Sequence, residues 1–503
     1  MTASGTGRVI RVALLSAALA VLSGCVVGPN YVRPAMVPPD AFKETQGWKI
    51  ARPGDDTLRG QWWEAFGDPT LSALEARVSV SNQSLAAAEA TYRQATALVR
   101  EARSAYFPTV TIGAGYTRLR QSSTVTTSSG TGVGSVTTTT NGSGGASGGP
   151  SNFFQLPIDV AWAPDFWGKV RRSVESSRAS AQASAGDLET ARLSLQAELA
   201  QDYLQLRTLE AQQRLLDTTV KAYERSLALT RTRFDTGVAS RLDVVQAEAQ
   251  LKATQAQYID VGVQRAQLEH AIALLVGQPA STFSLAAAPL AGGPPGVPVG
   301  VPSELLERRP DVAAAERRVA AANAQIGVAI AAYYPTITLS ASAGFESGGL
   351  AKWLTWPSRF WSVGPGISET LFDGGLRKAQ TAAARAAYDA SVATYRQTVL
   401  GAFQNVEDNL AALRILEDEA RVQDEAVTAA TQSVTLTTEQ YRAGTVSYLN
   451  VITTQTIALS NQVTAVQILG RRLTASVLLV QALGGGWHDA DLPSAQEVTH
   501  GPR

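Results

Sequence analysis

Two long stretches of this chain contain almost nothing that would break a helix, and they hold matching places in a tandem repeat. From about 169 to 235 there is no proline, and Gly186 is the only glycine. Leu188, Leu195, Leu199, Tyr203, Leu206, Leu209, Leu216, Val220, Tyr223 and Leu227 recur at three- and four-residue intervals, close to the coiled-coil period. At about 1.5 Å per residue, such a helix reaches on the order of 100 Å. No ordinary compact domain holds a helix of that length; a long coiled coil or a tube does. The stretch from about 377 to 442 repeats the design.

The repetition extends well beyond these helices. Ala105-Tyr106-Phe107-Pro108-Thr109-Val110-Thr111-Ile112 returns as Ala332-Tyr333-Tyr334-Pro335-Thr336-Ile337-Thr338-Leu339. Phe166, Gly168 and Arg171 return as Phe372, Gly374 and Arg377. Phe234, Gly237, Ser240 and Leu242 return as Tyr441, Gly444, Ser447 and Leu449, and Gly277 returns as Gly484. The order is the same in both copies, with an offset between 206 and 227, which marks a tandem duplication. Each copy reads helix, strand, strand, very long helix, turn, helix. The Ala-rich stretch 71–105, free of Pro and Gly, predicts the first helix of copy one. The predicted organisation is a signal peptide at 1–24, an N-terminal segment at 25–70 and a first repeat at 71–285. A Pro/Gly linker follows at 286–302, then a second repeat at 303–485 and a tail at 486–503.

Four segments alternate with period two: Thr109 to Tyr116, Phe153 to Trp162, Thr336 to Phe345 and Trp361 to Leu371. One face of each is apolar. The other is rich in Thr, Ser and Gly in three of them and carries Phe153, Gln155, Pro157, Asp159 and Ala161 in the second. Their length suits a tilted crossing of a bilayer, which takes roughly 9–11 residues. Tyr106, Phe107, Tyr333, Tyr334, Trp353, Trp356, Phe360 and Trp361 cluster at the strand ends, as in an interfacial aromatic belt. Four strands cannot close a barrel, since the smallest has about eight. An open edge in lipid leaves its N–H and C=O groups unpaired. Several chains must therefore share one barrel. The Ser/Thr/Gly tract from Ser122 to Pro150 fits a long external loop, with Gly348 to Pro357 as its shorter counterpart.

The N-terminus reads as a secretory leader. Arg8 and Arg11 form its basic region, and Val12 to Leu22 form an apolar core too short to span a bilayer. Leu22-Ser23-Gly24-Cys25 ends it with small residues and the only cysteine. That pattern resembles a bacterial lipobox, which implies S-diacylglycerol and N-palmitoyl groups on Cys25. Val26, rather than Asp, follows the cysteine, as in lipoproteins sent to the outer membrane. The chain has 43 basic and 43 acidic residues, so no basic excess marks a nucleic-acid partner. His270, His488 and His500 lie far apart, and no Cys/His spacing suits a metal. No nucleophile elbow or phosphate loop appears, so nothing argues for an enzyme.

Further marks are Gly28-Pro29-Asn30-Tyr31-Val32-Arg33-Pro34, Trp62-Trp63, Phe66-Gly67-Asp68-Pro69 and Arg308-Arg309-Pro310-Asp311. To these are added Leu371-Phe372-Asp373-Gly374-Gly375 and Tyr441-Arg442-Ala443-Gly444-Thr445. In this order, around a duplication, they resemble the TolC-like outer-membrane factors, in particular the NodT-type lipoproteins of tripartite efflux systems. The resemblance implies a mainly α fold with membrane β: a homotrimer sharing a twelve-stranded barrel and a long periplasmic helical tube, girdled by a mixed α/β band. It implies passive conduction of drugs or other small molecules. The implied partners are a periplasmic adaptor, an inner-membrane RND-type transporter and outer-membrane lipid. The main alternative is a periplasmic adaptor lipoprotein, although adaptors carry one helical hairpin rather than two copies with strands of spanning length.

Each copy turns between helices at Asp235–Ser240 and Arg442–Ser447. Gly237 and Gly444 permit positive φ there, and Ser240 or Ser447 can cap the next helix. By resemblance, Thr236, Gly237, Val238, Ala443, Gly444 and Thr445 are the tips that meet the adaptor. Related proteins place an acidic ring just beyond the second tip; here the matching positions are Leu449, Asn450 and Thr453, which are uncharged. By the same resemblance, Asp243 bonds Tyr441 on a neighbouring helix pair and holds the closed state. As a reading of the residues alone, Asp243 is equally a capping or solvated side chain.

Overall fold

A computed structural model describes residues 26–36, 42–44, 61–120, 150–290, 292–296 and 308–500. The leader, Cys25 and the tract 121–149 lie outside the described residues. The chain forms two compact units, and neither coincides with a sequence repeat. Among the described residues, one comprises 26–30, 100–120, 150–176 and 323–386; the other comprises 31–36, 42–44, 61–99, 177–290, 292–296, 308–322 and 387–500.

The duplication is legible in element lengths. Helix α2 (Gln83–Ser104) and its counterpart α5 (Pro310–Ala331) have 22 residues each. Helices α3 (Lys169–Asp235) and α6 (Leu376–Arg442) have 67 each, and α4 (Arg241–Leu275) and α7 (Tyr448–Ala482) have 35 each. The single helix expected over 71–105 is two, α1 (Pro69–Ser81) and α2. Asn82 breaks it with ψ at 124°. Its Oδ1 accepts from the Leu85 amide at 3.0 Å and its Nδ2 donates to the Leu275 carbonyl at 2.8 Å, so the side chain starts α2 while tying it to the end of α4. At the equivalent place in the second copy, Pro310 starts α5 with its fixed φ.

In the first unit the strands are β1 (Thr109–Ile112), β2 (Gly115–Leu119), β3 (Ser151–Trp162), β4 (Thr336–Ser347) and β5 (Arg359–Ser368). They form one antiparallel sheet in the order β1-β3-β4-β5, and β2 also pairs with β3. The first expected strand is thus interrupted at Gly113-Ala114. Ile112 faces Ile158 and Gly115 faces Gln155, so no residue is inserted. The cause is Pro157, which has no N–H to give the ladder and accepts only the Gly113 amide, at 3.0 Å. The fourth strand ends at Ser368, leaving Leu371 beyond it.

Register puts Val110, Val160, Ala341 and Val363 in one cross-strand row and Ile112, Ile158, Ala343 and Trp361 in the next. Ile112, Trp361, Val363 and Ile367 are each more than 70% exposed, which water would not tolerate on so many neighbours and lipid would.

The second unit is built on the long helices. Its largest core joins Trp62, Trp63, Leu71, Leu74 and Val78 to Leu199, Tyr203 and Leu206 of α3, Ile272 of α4, Leu410 of α6 and Leu479 of α7. The segment after α4 is held by a buried charge network. Glu210 accepts from Arg207 (2.7 Å), Arg265 (3.0 Å) and the Ala288 amide (3.1 Å), while Arg265 reaches the Leu285 carbonyl. Every charge in this network has a partner, the condition under which buried ions are tolerated. Of the α/β band the resemblance implied, the described residues contribute helices and 3₁₀ turns.

Candidate functional site

The two turns between long helices close in the same way. Gly237 and Gly444 both have φ of 78°. The Gly237 amide donates to the Phe234 carbonyl at 2.8 Å and Val238 to that of Arg233 at 2.8 Å; Gly444 donates to Tyr441 and Thr445 to Gln440, both at 3.0 Å. These are paired Schellman closures, which satisfy the last carbonyls of α3 and α6 and favour glycine at the left-handed residue. Thr236, Gly237, Val238, Ala443, Gly444 and Thr445 are all exposed.

Beyond the closures the tips differ. At the first, Ser240 Oγ accepts from the Asp243 amide (3.2 Å) and the Asp243 carboxylate accepts from the Ser240 amide (2.9 Å), a full capping box. At the second, Ser447 makes no side-chain cap, contrary to the capping role expected of either serine. Asn450 stands where Asp243 stands in the first copy.

Asp243 and Tyr441 are not joined by a hydrogen bond within the chain. Asp243 is engaged by its cap, while Tyr441 turns inward. Its ring lies 5.2 Å from that of Tyr448 and beneath the Arg233 guanidinium at 4.8 Å, and its buried hydroxyl has no partner. Tyr448 hydrogen-bonds Ser226 at 3.1 Å. Burial is the largest cause raising the pKa values of Tyr448 and Tyr223, so both phenols stay neutral near neutral pH. Arg233 also donates to the Arg442 carbonyl at 3.0 Å, bracing the second tip from the first.

Arg233 and Tyr448 were not singled out by sequence reasoning, and Tyr223 entered it only as a member of the helical repeat. A signal was present: Arg233 matches Gln440, and Tyr448 matches Arg241, so both are places where the copies diverge. Leu449, Asn450 and Thr453 are exposed together at the start of α7.

Between α3, α4, α6 and α7 runs a groove of about 1100 Å³. Gln250, Gln257 and Gln264 line it at heptad intervals along α4, facing Thr456, Ser460 and Thr464 of α7. Among the described residues, Asp260 and Arg471 are its only charged lining. Such a wall wets readily and favours neither sign of charge.

Cys25 itself lies outside the described residues, but the segment after it is locked in place within the first unit. Arg172, buried at the start of α3, donates to the carbonyls of Val27 and Gly28 at 3.3 Å and to Asn30 Oδ1 at 3.0 Å. Asn323 donates to the Pro29 carbonyl at 3.1 Å. Gly28, at φ of 97°, lies so close to Gly327 that an added Cβ would stand 2.5 Å from its Cα. The sequence mark Gly28-Pro29-Asn30 is therefore a docking strap.

The described residues hold no cluster of three or more potential metal ligands. Residues 76–278 and 301–485 match the family described as outer membrane efflux protein, and the chain belongs to that family. It is 33% identical over 435 residues to the pyoverdine export outer membrane protein OpmQ of Pseudomonas aeruginosa, covering 85% of this chain and 87% of that one. It is 29% identical to Nodulation protein T of Rhizobium leguminosarum bv. trifolii, covering 93% and 96%. Among solved structures it is similar to the outer-membrane channel OprN, at 31% identity and a TM-score of 0.82 over 92% of this chain and 100% of that one. The chain is the outer-membrane channel of a tripartite efflux pump, with a TolC-like fold and a periplasmic helical part, and it is not an enzyme. The adaptor alternative is thereby set aside.

Proposed function

We propose that three copies of this chain close one twelve-stranded barrel and conduct small molecules passively outward, receiving them from a periplasmic adaptor and an inner-membrane RND-type transporter. The observation that carries the shared barrel is the sheet itself. It has four spanning strands' worth of pairing, an apolar exposed face, and edges at β1/β2 and β5 that no described strand covers. In this reading, Thr236, Gly237 and Val238 with Ala443, Gly444 and Thr445 meet the adaptor, and Leu449, Asn450 and Thr453 form an uncharged constriction. Asp243 and Tyr441 keep a place in it: an unpaired buried hydroxyl at Tyr441 is a donor available when the tips rearrange. Cys25 carries the S-diacylglycerol and N-palmitoyl groups, and Val26 directs the protein to outer-membrane lipid.

Relatives of similar identity are named for chemically unlike exports, pyoverdine for OpmQ and toluene for TtgC of Pseudomonas putida. That spread fits a conduit that takes whatever the pump delivers.

The test is migration of the purified protein in SDS. A heat-modifiable band at three times the chain mass is expected; a monomer at every temperature overturns the shared barrel. Radioactive palmitate should label the wild-type protein and not Cys25→Ser. Label surviving that substitution rules out Cys25 as acceptor.

A further inference from the structure

We infer that the channel prefers cations, and that the preference is set in the strand region by Asp159 and Glu346 rather than at the helix tips. The inference rests on the conduit reading and adds to it a class of favoured solute: cationic or neutral molecules over polyanions.

Register identifies the residues. The apolar rows fix which face meets lipid, so the alternate positions face the other side. There Thr111, Asp159, Ser342 and Ser362 form one cross-strand row. Gly115, Gln155 and Glu346 form another. Apart from Phe153 and Phe360, this face is made largely of Thr, Ser and Gly.

Among the described residues, Asp159 and Glu346 are its only charged ones. The two cations of the strands, Arg118 and Arg359, fall on the opposite face at the strand ends, and Arg359 covers the Trp356 ring at 3.9 Å. Both carboxylates are exposed, and neither is hydrogen-bonded or ion-paired to another described residue.

The two rows are four residues apart along β3, about 13 Å. The carboxylates are too far apart to share one ion, so they act through their field and not by coordination. Twelve strands about 4.8 Å apart and tilted roughly 40° give a backbone radius of about 12 Å. Side chains narrow that further, bringing the carboxylates close to one screening length of the axis, about 8 Å at 0.15 M salt. The other wall residues placed above add no net charge. Leu449, Asn450 and Thr453 are neutral, and the groove between the long helices carries one acid and one base.

The experiment is the reversal potential of purified trimers in planar bilayers under a tenfold KCl gradient. The wild-type protein should favour K⁺ over Cl⁻ by about 5-fold near 0.1 M, falling toward parity at 1 M. Asp159→Asn with Glu346→Gln should bring the ratio to about 1, and Asp159→Lys should lower it further. Asn and Gln keep the shape and hydrogen-bonding of the acids, and SDS-resistant migration of each variant verifies assembly. A wild-type reversal potential of zero, or a double variant that retains the wild-type preference, overturns the inference and leaves the conduit intact. No channels at all from assembled wild-type trimers would overturn the conduit reading itself.

Discussion

Position 234 in the first copy and position 441 in the second are the same place in the duplication, one residue before the end of a 67-residue helix. Phe234 is exposed, whereas Tyr441 is buried. The next helix repeats the contrast: Arg241 is exposed, and its counterpart Tyr448 is buried. The helix lengths, the glycine closures and the turn geometry are identical in the two copies. What the duplication preserved is the backbone; what it let drift is which side chains the second tip turns inward. The first tip ends in a self-sufficient capping box. The second lacks that box and leans instead on aromatic packing and on Arg233 reaching across.

The largest expected effect lies in the first copy, in α1. Glu75 is fully buried, neither carboxylate oxygen has a partner, and burial alone raises its pKa from 4.5 to about 9. The folded protein therefore keeps it protonated at neutral pH. A raised carboxyl pKa leaves stability complete below about pH 4.5 and erodes it as pH climbs toward 9, because the unfolded chain ionises first. At pH 7.5 the cost is about 4 kcal/mol per chain. Glu75→Gln, which cannot ionise, should raise the thermal midpoint above wild type at pH 8 and match it closely at pH 4.5. Parallel pH profiles for the two proteins would show that the carboxyl has a partner or water when folded.

Next in size is a matched pair at the tips. Tyr448→Ala should cost about 3 kcal/mol of local stability, since it empties an aromatic site between Tyr223, Tyr441 and Leu251. Arg241→Ala, at the same repeat position, should stay within about 0.5 kcal/mol. Hydrogen exchange of the amides around 441–452 measures both. Equal protection loss in the two variants would erase the asymmetry between the tips.

Most of the architecture was legible in sequence because it depends on period and punctuation. The two long helices, their glycine turns, the strand faces and the repeat order all follow from residues that act locally. The break at Asn82 was missed, since asparagine is tolerated in helices and its decisive partner, the Leu275 carbonyl, is almost two hundred residues away. Aligning the copies offered a clue: the counterpart of Gln83 is Pro310, a residue that starts helices. The interruption of the first strand has the same character, because the proline responsible sits on β3. The tips were placed correctly as turns, yet the expected Asp243–Tyr441 contact is not made within the chain. Spacing gives which residues lie near a turn, and packing decides which way a ring rotates.

The smallest effect tests the capping difference directly. Ser240 Oγ and the Asp243 carboxylate each satisfy an amide that would otherwise lack a partner at the start of α4. Ser240→Ala removes one half of that exchange and should cost about 1 kcal/mol. Ser447 makes no such bond, so Ser447→Ala should change stability by only a few tenths of a kcal/mol. Asn450→Asp is the informative third variant. It supplies the carboxylate that the first tip has, beside a serine already in extended conformation at φ of −75° and ψ of 159°. If the missing acid is what the second tip lacks, Asn450→Asp should make Ser447→Ala as costly as Ser240→Ala. Amide exchange at 447–450 reads the gain. Should Ser447→Ala remain silent in that background, the inward aromatics, and not the absent carboxylate, fix the geometry of the second tip.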